Sequence, residues 1–148
     1  MTSAVVLDTS VIIKWFRQGE ILAPQALALR RAYLEGSLTV AVPDVLVYEV
    51  ANVLRYKGDL STEQIGQAVQ SLFDIGIDIV PPSAELMRRA VALAYTHNET
   101  VYDAVFVALA ETLEADFITA DEQLVKQMAG LPFVRFLGDV ELHREVSQ

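Results

Sequence analysis

Ala4-Val5-Val6-Leu7-Asp8-Thr9-Ser10-Val11-Ile12-Ile13-Lys14-Trp15-Phe16 is the stretch that decides the architecture. A short β-branched run ends in an acid and passes directly into a second apolar segment. Ala4 to Leu7 suits a strand buried on both faces of a parallel sheet, and Val11 to Phe16 suits the helix it feeds. Asp8 therefore falls at the carboxyl end of a strand. The alternation continues downstream. Pro24 opens a helical pattern that Gly36 closes, in the proline-first, glycine-last order of helices. Leu38 to Val42 reads as a strand, and a long helix is expected from Pro43 to about Tyr56, ending before Gly58. Ser61-Thr62-Glu63-Gln64 forms a capping box for a helix that stops at Gly76. Ile77 to Val80 is a strand halted by Pro81-Pro82, and Ser83 caps the helix that follows, through Ala94. Thr100 starts another helix, whose body from Ala104 to Ala110 is almost wholly apolar and so must be buried. Phe117 to Thr119, a short helix over Asp121 to Met128, and Phe133 to Leu137 complete the series. Short strands alternating with helices predict a three-layer α/β/α sandwich with a mostly parallel central sheet of four to five strands. No repeat or linker divides the chain, which reads as one domain over residues 1–148 with a loose tail at Arg144 to Gln148.

Of the 148 residues 53% are hydrophobic, and 11 Lys+Arg stand against 20 Asp+Glu, a formal charge of −9. A chain of this size buries roughly 70% of its unfolded surface, enough for a core without disulfides. There are no cysteines, which excludes thiolate zinc sites, iron–sulfur clusters and cysteine nucleophiles and suits a reducing compartment. Charged residues interrupt every apolar stretch before it reaches bilayer length, so no transmembrane segment is expected. The first eight residues lack the basic leader and long apolar segment of a signal peptide, and a cytoplasmic location is expected. An acidic surface repels phosphate backbones. Any nucleic-acid role must therefore be local or metal-assisted.

Most of the acids fall on polar faces or in loops, but Asp8, Glu49, Asp103 and Asp121 do not. Glu49 sits mid-helix on the apolar side with Leu46, Val50 and Val53, and no basic residue lies within four positions of it. A buried carboxylate costs several kcal/mol unless it is paired, hydrogen-bonded or bound to a cation. Asp103 opens the most apolar helix of the chain. Asp8 and Asp121 each follow a strand, where open parallel sheets bind ligands. Four carboxylates in one cleft repel one another, and Mg²⁺ or Mn²⁺ relieves that repulsion through oxygen ligands. Such a cation activates water and steadies a phosphodiester transition state. Ser10 and Thr119 are placed to orient a carboxylate. Three of the acids also have a plainer account: Asp121 as a first-turn acid behind a Thr119–Glu122 capping box, Asp103 as part of a helix start capped by Thr100, and Asp8 as a turn acid.

At these positions the sequence resembles the PIN-domain family of metal-dependent ribonucleases, especially the toxins of VapBC-type toxin–antitoxin pairs. The matching segments are Val5 to Trp15, Val47-Tyr48-Glu49-Val50-Ala51-Asn52-Val53-Leu54, Tyr102-Asp103-Ala104, Ala108-Leu109-Ala110 and Ile118-Thr119-Ala120-Asp121. They span nearly the whole chain in the family's order, with no departure at the four acids. The resemblance implies a PIN-like sandwich in which Asp8, Glu49, Asp103 and Asp121 form the catalytic, metal-binding cluster. Ser10 then supports the site, and Asn52 ties the long helix to the strand ends. It further implies an endoribonuclease that uses Mg²⁺, with Mn²⁺ able to substitute, and a cognate, basic VapB-type antitoxin that reaches into the acidic pocket.

Lys14 and Trp15 lie about two turns beyond Asp8, where they could offer RNA a phosphate contact and a stacking surface, although a solvated lysine beside a core tryptophan is the favoured account. Arg55, with Tyr56 and Lys57, ends the helix that carries Glu49, where cations also suit the helix dipole. Arg30-Arg31 and Arg88-Arg89 read as solvated faces, and neither His97 nor His143 has partners at ligand spacing. The apolar faces Leu27 to Tyr33 and Ile65 to Phe73 are candidates for the antitoxin or for a homodimer. Three other readings compete. One keeps the acid site but assigns RNA maturation or repair without an antitoxin, and another makes the acids mere helix caps of a non-catalytic binding domain. The third is a signalling receiver, which requires a lysine at the end of the last strand, whereas Gly138-Asp139 follows Leu137.

Overall fold

Five short apolar runs, each too brief to be a helix, supply the sheet. The computed structural model describes residues 2–141, so His143 and the expected tail Arg144–Gln148 lie outside the described residues. The strands are β1 (Ser3–Leu7), β2 (Leu38–Pro43), β3 (Asp78–Val80), β4 (Asp116–Thr119) and β5 (Val134–Phe136). All neighbours are parallel, in the order β3-β2-β1-β4-β5. β1 is thus central, with Val5 opposite Val40 on one side and Asp116 on the other. Val5, Val6 and Leu7 are all buried, as a strand covered on both faces requires.

The helices are α1 (Thr9–Ile12), which tightens into a 3-10 turn at Ile13–Trp15, α2 (Ala23–Leu34), α3 (Val45–Lys57), α4 (Thr62–Asp74), α5 (Ala84–His97), α6 (Val101–Leu113) and α7 (Glu122–Gln127). Right-handed crossovers from β1 to β2 and from β2 to β3 run one way across the sheet, and those leading to β4 and β5 run the other. They place α1–α4 on one face and α5–α7 on the other, the three-layer sandwich read from the sequence. Residues Ala104 to Ala110 of α6 are all buried, and α6 packs on β1, β2 and β4. An apolar helix over the middle of a sheet has no solvent face to keep polar.

Pro43 does not begin the long helix. It closes β2 opposite Val80, and the Asp44 N–H donates to the Val80 carbonyl at 3.0 Å before α3 starts. A proline is tolerated at a strand end because its missing N–H interrupts no further ladder. The last strand is two residues shorter than expected, since Leu137–Asp139 turns as a 3-10 helix. No lysine follows β5, which leaves the receiver reading without its required residue. On α2, Ala26 and Leu29 are buried while Leu27 and Leu34 face solvent, and on α4 Leu72 is buried while Phe73 is exposed.

The capping box of α4 is present in full. Ser61 Oγ accepts from the Gln64 N–H at 3.1 Å, and Gln64 Oε1 accepts from the Ser61 N–H at 2.8 Å. Ser61→Ala is expected to lower unfolding free energy by about 1 kcal/mol. A shift of the urea midpoint at constant slope measures it, and an unchanged midpoint would show that the cap is energetically idle.

Candidate active site

Chain order reverses between β1 and β4, so their carboxyl ends diverge into the crevice where open α/β sheets hold ligands. Asp8 leaves β1 at that point. Its backbone is extended, and its carbonyl accepts from the Val11 and Ile12 N–H groups to start α1. The carboxylate turns inward and is buried. Ser10 donates to Oδ1 at 2.5 Å and Thr119, at the end of β4, donates to Oδ2 at 2.6 Å. The Ser10 and Thr119 hydroxyl oxygens then accept from the N–H groups of Ala120 at 2.9 Å and Asp121 at 3.0 Å. Two hydroxyls thus stitch the ends of β1 and β4 together through one carboxylate.

A carboxylate has about four acceptor sites, of which these bonds use two. Burial pushes the Asp8 carboxyl up to about 6; the Ser10 and Thr119 hydrogen bonds pull it down in part, and the charge of Asp103 raises it again. Glu49, half-buried on α3, accepts from the Thr9 hydroxyl at 2.6 Å. It too is raised, by burial first, against the Thr9 bond, and by repulsion from Asp103. Asp103 lies in the first turn of α6, behind a Thr100 cap that accepts from its N–H at 3.1 Å. The Thr100 cap foreseen for α6 is therefore present, but it uses the backbone of Asp103 and leaves the carboxylate free to act on its neighbours.

Asp121 is exposed and is itself the N-cap of α7, accepting from the Gln123 and Leu124 N–H groups at 3.0 and 3.2 Å. Thr119 does not cap α7: its hydroxyl donates to Asp8 and accepts from the N–H of Asp121, one residue before the helix begins. A fifth acid joins the group. Glu99, in the turn before α6, is raised by burial and then by a hydrogen bond to and repulsion from Asp103, with Asp121 adding to it. Its only signal in the sequence is its place four residues before Asp103. Thr9 was equally hidden: nothing in the sequence indicates that this hydroxyl, and not Asn52, joins α3 to the strand end.

Asn52 is exposed and makes no side-chain hydrogen bond among the described residues; it lines the open recess beside Glu49. That recess, about 510 Å³, is bordered by Thr9, Ser10, Lys14, Glu49, Asn52 and Lys57. Lys14 is held by Glu20 at 3.5 Å, and Glu20 is also paired with Arg17. Trp15 is the core tryptophan of the favoured account and not a stacking surface. Its indole N–H donates to the Ala26 carbonyl at 2.9 Å and the ring packs against the core. Arg55 lies 4.9 Å over the Tyr56 ring on the exposed end of α3.

Among the described residues no salt bridge reaches Asp8, Glu49, Glu99, Asp103 or Asp121. An oxygen-only set of mutually repelling carboxylates with no counter-cation fits a hard divalent ion. No three acids or histidines stand at ligand spacing among the described residues.

Comparison with known proteins identifies the family. Residues 5–131 match the PIN domain family. Ribonuclease VapC3 of Pyrobaculum aerophilum is 36% identical over 92 residues, which are 60% of this chain and 70% of that protein. Ribonuclease VapC1 of Mycobacterium tuberculosis is 34% identical over 105 residues, 69% of this chain and 76% of that one. A toxin–antitoxin complex from Klebsiella pneumoniae shares the fold with a TM-score of 0.64 at 22% identity, over 88% of this chain and 94% of that chain. The chain belongs to the PIN-domain family, among its VapC ribonucleases.

Proposed function

We propose that this chain is a divalent-metal-dependent endoribonuclease, acting in the cytoplasm as a single domain and as the toxin of a VapBC-type pair. The observation that carries the reading is the buried Asp8 carboxylate at the sheet's switch point, raised to about 6 and facing further acids with no cation opposite them. Its similarity to the VapC ribonucleases supports the same chemistry.

Asp8, Glu49, Asp103 and Asp121 would hold Mg²⁺, with Mn²⁺ as a substitute, and Glu99 adds charge to the same group. When bound, the ion offsets the negative charge that develops on a phosphodiester in the transition state and makes water a competent nucleophile near neutral pH. The remaining work belongs to the protein. Ser10 and Thr119 fix both oxygens of Asp8, and Thr9 fixes one oxygen of Glu49, so the acids meet the ion already oriented. Lys14 and Lys57 line the recess beside Glu49 and give a single RNA strand a narrow cationic border; Arg55 extends it along α3.

Toxin activity implies an inhibitor, and a basic, VapB-type antitoxin matches the charge of −9. The exposed apolar residues Leu27 and Leu34 on α2 and Phe73 on α4 supply contact area for it or for a second copy of the chain.

The test incubates the protein with end-labelled total RNA in Mg²⁺, Mn²⁺ or EDTA. Discrete cuts are expected with either ion and none in EDTA. Mn²⁺ at a hundred times its Kd should also raise unfolding free energy by about 2.7 kcal/mol. Cleavage that persists in EDTA would overturn the metal site. Absence of cleavage with both ions, in protein that binds Mn²⁺, would overturn the nuclease reading.

A further inference from the structure

Two exposed tyrosines flank the acids in a way that core packing does not explain. Tyr48 immediately precedes Glu49 on α3, and Tyr102 immediately precedes Asp103 on α6. Tyr48 is 75% exposed and Tyr102 65%. The two helices come from opposite faces of the sheet, yet the rings border one open recess of about 490 Å³, with Val45, Glu49 and Asn52 as its other walls. Tyr102 and Val45 also border a smaller cleft of about 150 Å³ that runs inward against Pro82, Met87 and Val105. An aromatic rim with an apolar floor thus opens directly onto Glu49.

The charge balance says what such a rim is for. A nuclease that binds RNA mainly through phosphates needs many lysines and arginines, and this chain carries a net −9. Base–aromatic stacking does not depend on charge and is available with any base that is unpaired. In a duplex the base faces are covered by their neighbours, so a rim of this kind selects single strands.

The geometry points to Tyr48 and Tyr102 as residues that bind substrate, stacking on unpaired nucleobases next to the scissile phosphate. The inference rests on the nuclease reading above. Neither tyrosine holds the metal or moves a proton. They are positioning residues, whose loss should raise KM or Kd more than it lowers kcat.

The experiment uses the full chain and a fluorescein-labelled, ten-nucleotide mixed-sequence RNA, single-stranded or annealed to its complement. Affinity is read by anisotropy in EDTA, where nothing is cut. Mn²⁺ binding is read separately by calorimetry, and cleavage in Mn²⁺ gives KM and kcat. Tyr48→Ala and Tyr102→Ala are each expected to weaken single-strand binding about five- to hundredfold, with Mn²⁺ affinity within twofold of wild type. Tyr48→Phe and Tyr102→Phe should restore binding, because the ring face and not the hydroxyl is used. Duplex should bind at least about tenfold more weakly than single strand, with little difference between wild type and the alanine variants.

Single-strand affinity unchanged in both alanine variants would overturn the inference, and continued metal-dependent cutting would then leave the nuclease reading standing. Unchanged RNA affinity together with a shift from dimer to monomer in sedimentation would overturn it by making the rim an interface between copies. Weakened RNA binding in a protein that never cleaves would uphold the stacking role and sink the nuclease reading alone.

Discussion

Asp8→Asn is expected to abolish metal-dependent cleavage and, in EDTA, to stabilise the protein at neutral pH. The two effects have one cause. The folded state holds this carboxyl at about 6 against an ordinary value of 3.8, so it prefers the protonated form. Stability from this group is complete below pH 4, falls as pH rises through 6, and above that is lower by about 3 kcal/mol. An asparagine never ionises and does not incur that loss. One of the Ser10 and Thr119 hydroxyls keeps donating, to the amide oxygen, while the other turns to accept from the NH2 group. Urea titrations in EDTA between pH 4 and 8 should therefore show a wild-type-minus-variant difference that falls by as much as about 3 kcal/mol. Cleavage should drop at least about a hundredfold, since changes outside the ligand set alone cost about 10- to 100-fold. A variant that still cuts, or that is less stable than wild type at pH 7.5 in EDTA, would sink the placement of Asp8.

Asp103→Asn acts at a different point. Asp103 is the one charge that bears on Asp8, Glu49 and Glu99 together. Its removal is expected to lower the titration midpoints of all three, followed by carboxyl NMR, with the Asp8 midpoint moving down from about 6. Cleavage is lost here as well, because the site loses a ligand and a negative charge. The signature is the combination: Asp8→Asn deletes one titration, whereas Asp103→Asn keeps Asp8 titrating and shifts it. If the midpoints of Asp8 and Glu99 stay in place, Asp103 is not facing them, and the acids belong to separate surfaces.

The elements were legible because each carries its own punctuation. Pro24 and Gly36 punctuate α2, Ser61 and Gly76 punctuate α4, and short β-branched runs mark β1 and β2. Asp8 was legible for the same reason, an acid abutting a buried strand. What the sequence concealed were relations between elements. The Thr9 bond to Glu49 links positions 40 residues apart, and the Thr119 bond to Asp8 links positions 111 apart. No local pattern marks either hydroxyl. Trp15 kept two accounts because a helix period says which residues share a face, not which neighbour will cover it; α2 covers this one. Asn52 misled because a polar residue one turn from Glu49 lies near the strand end in either case, and only the geometry shows that it makes no bond there. Glu99 was passed over as an acid in a turn, where acids are ordinary.

The hydroxyl stitch between β1 and β4 also sets when the acid site can form. Asp8 emerges early in synthesis and Thr119 follows 111 residues later, an interval of roughly 6 to 20 s at the usual pace of translation. Until β4 arrives, the central strand lacks a neighbour on one side, and parallel pairing over such sequence distances is slow. A ribosome-bound chain therefore has no assembled acid site.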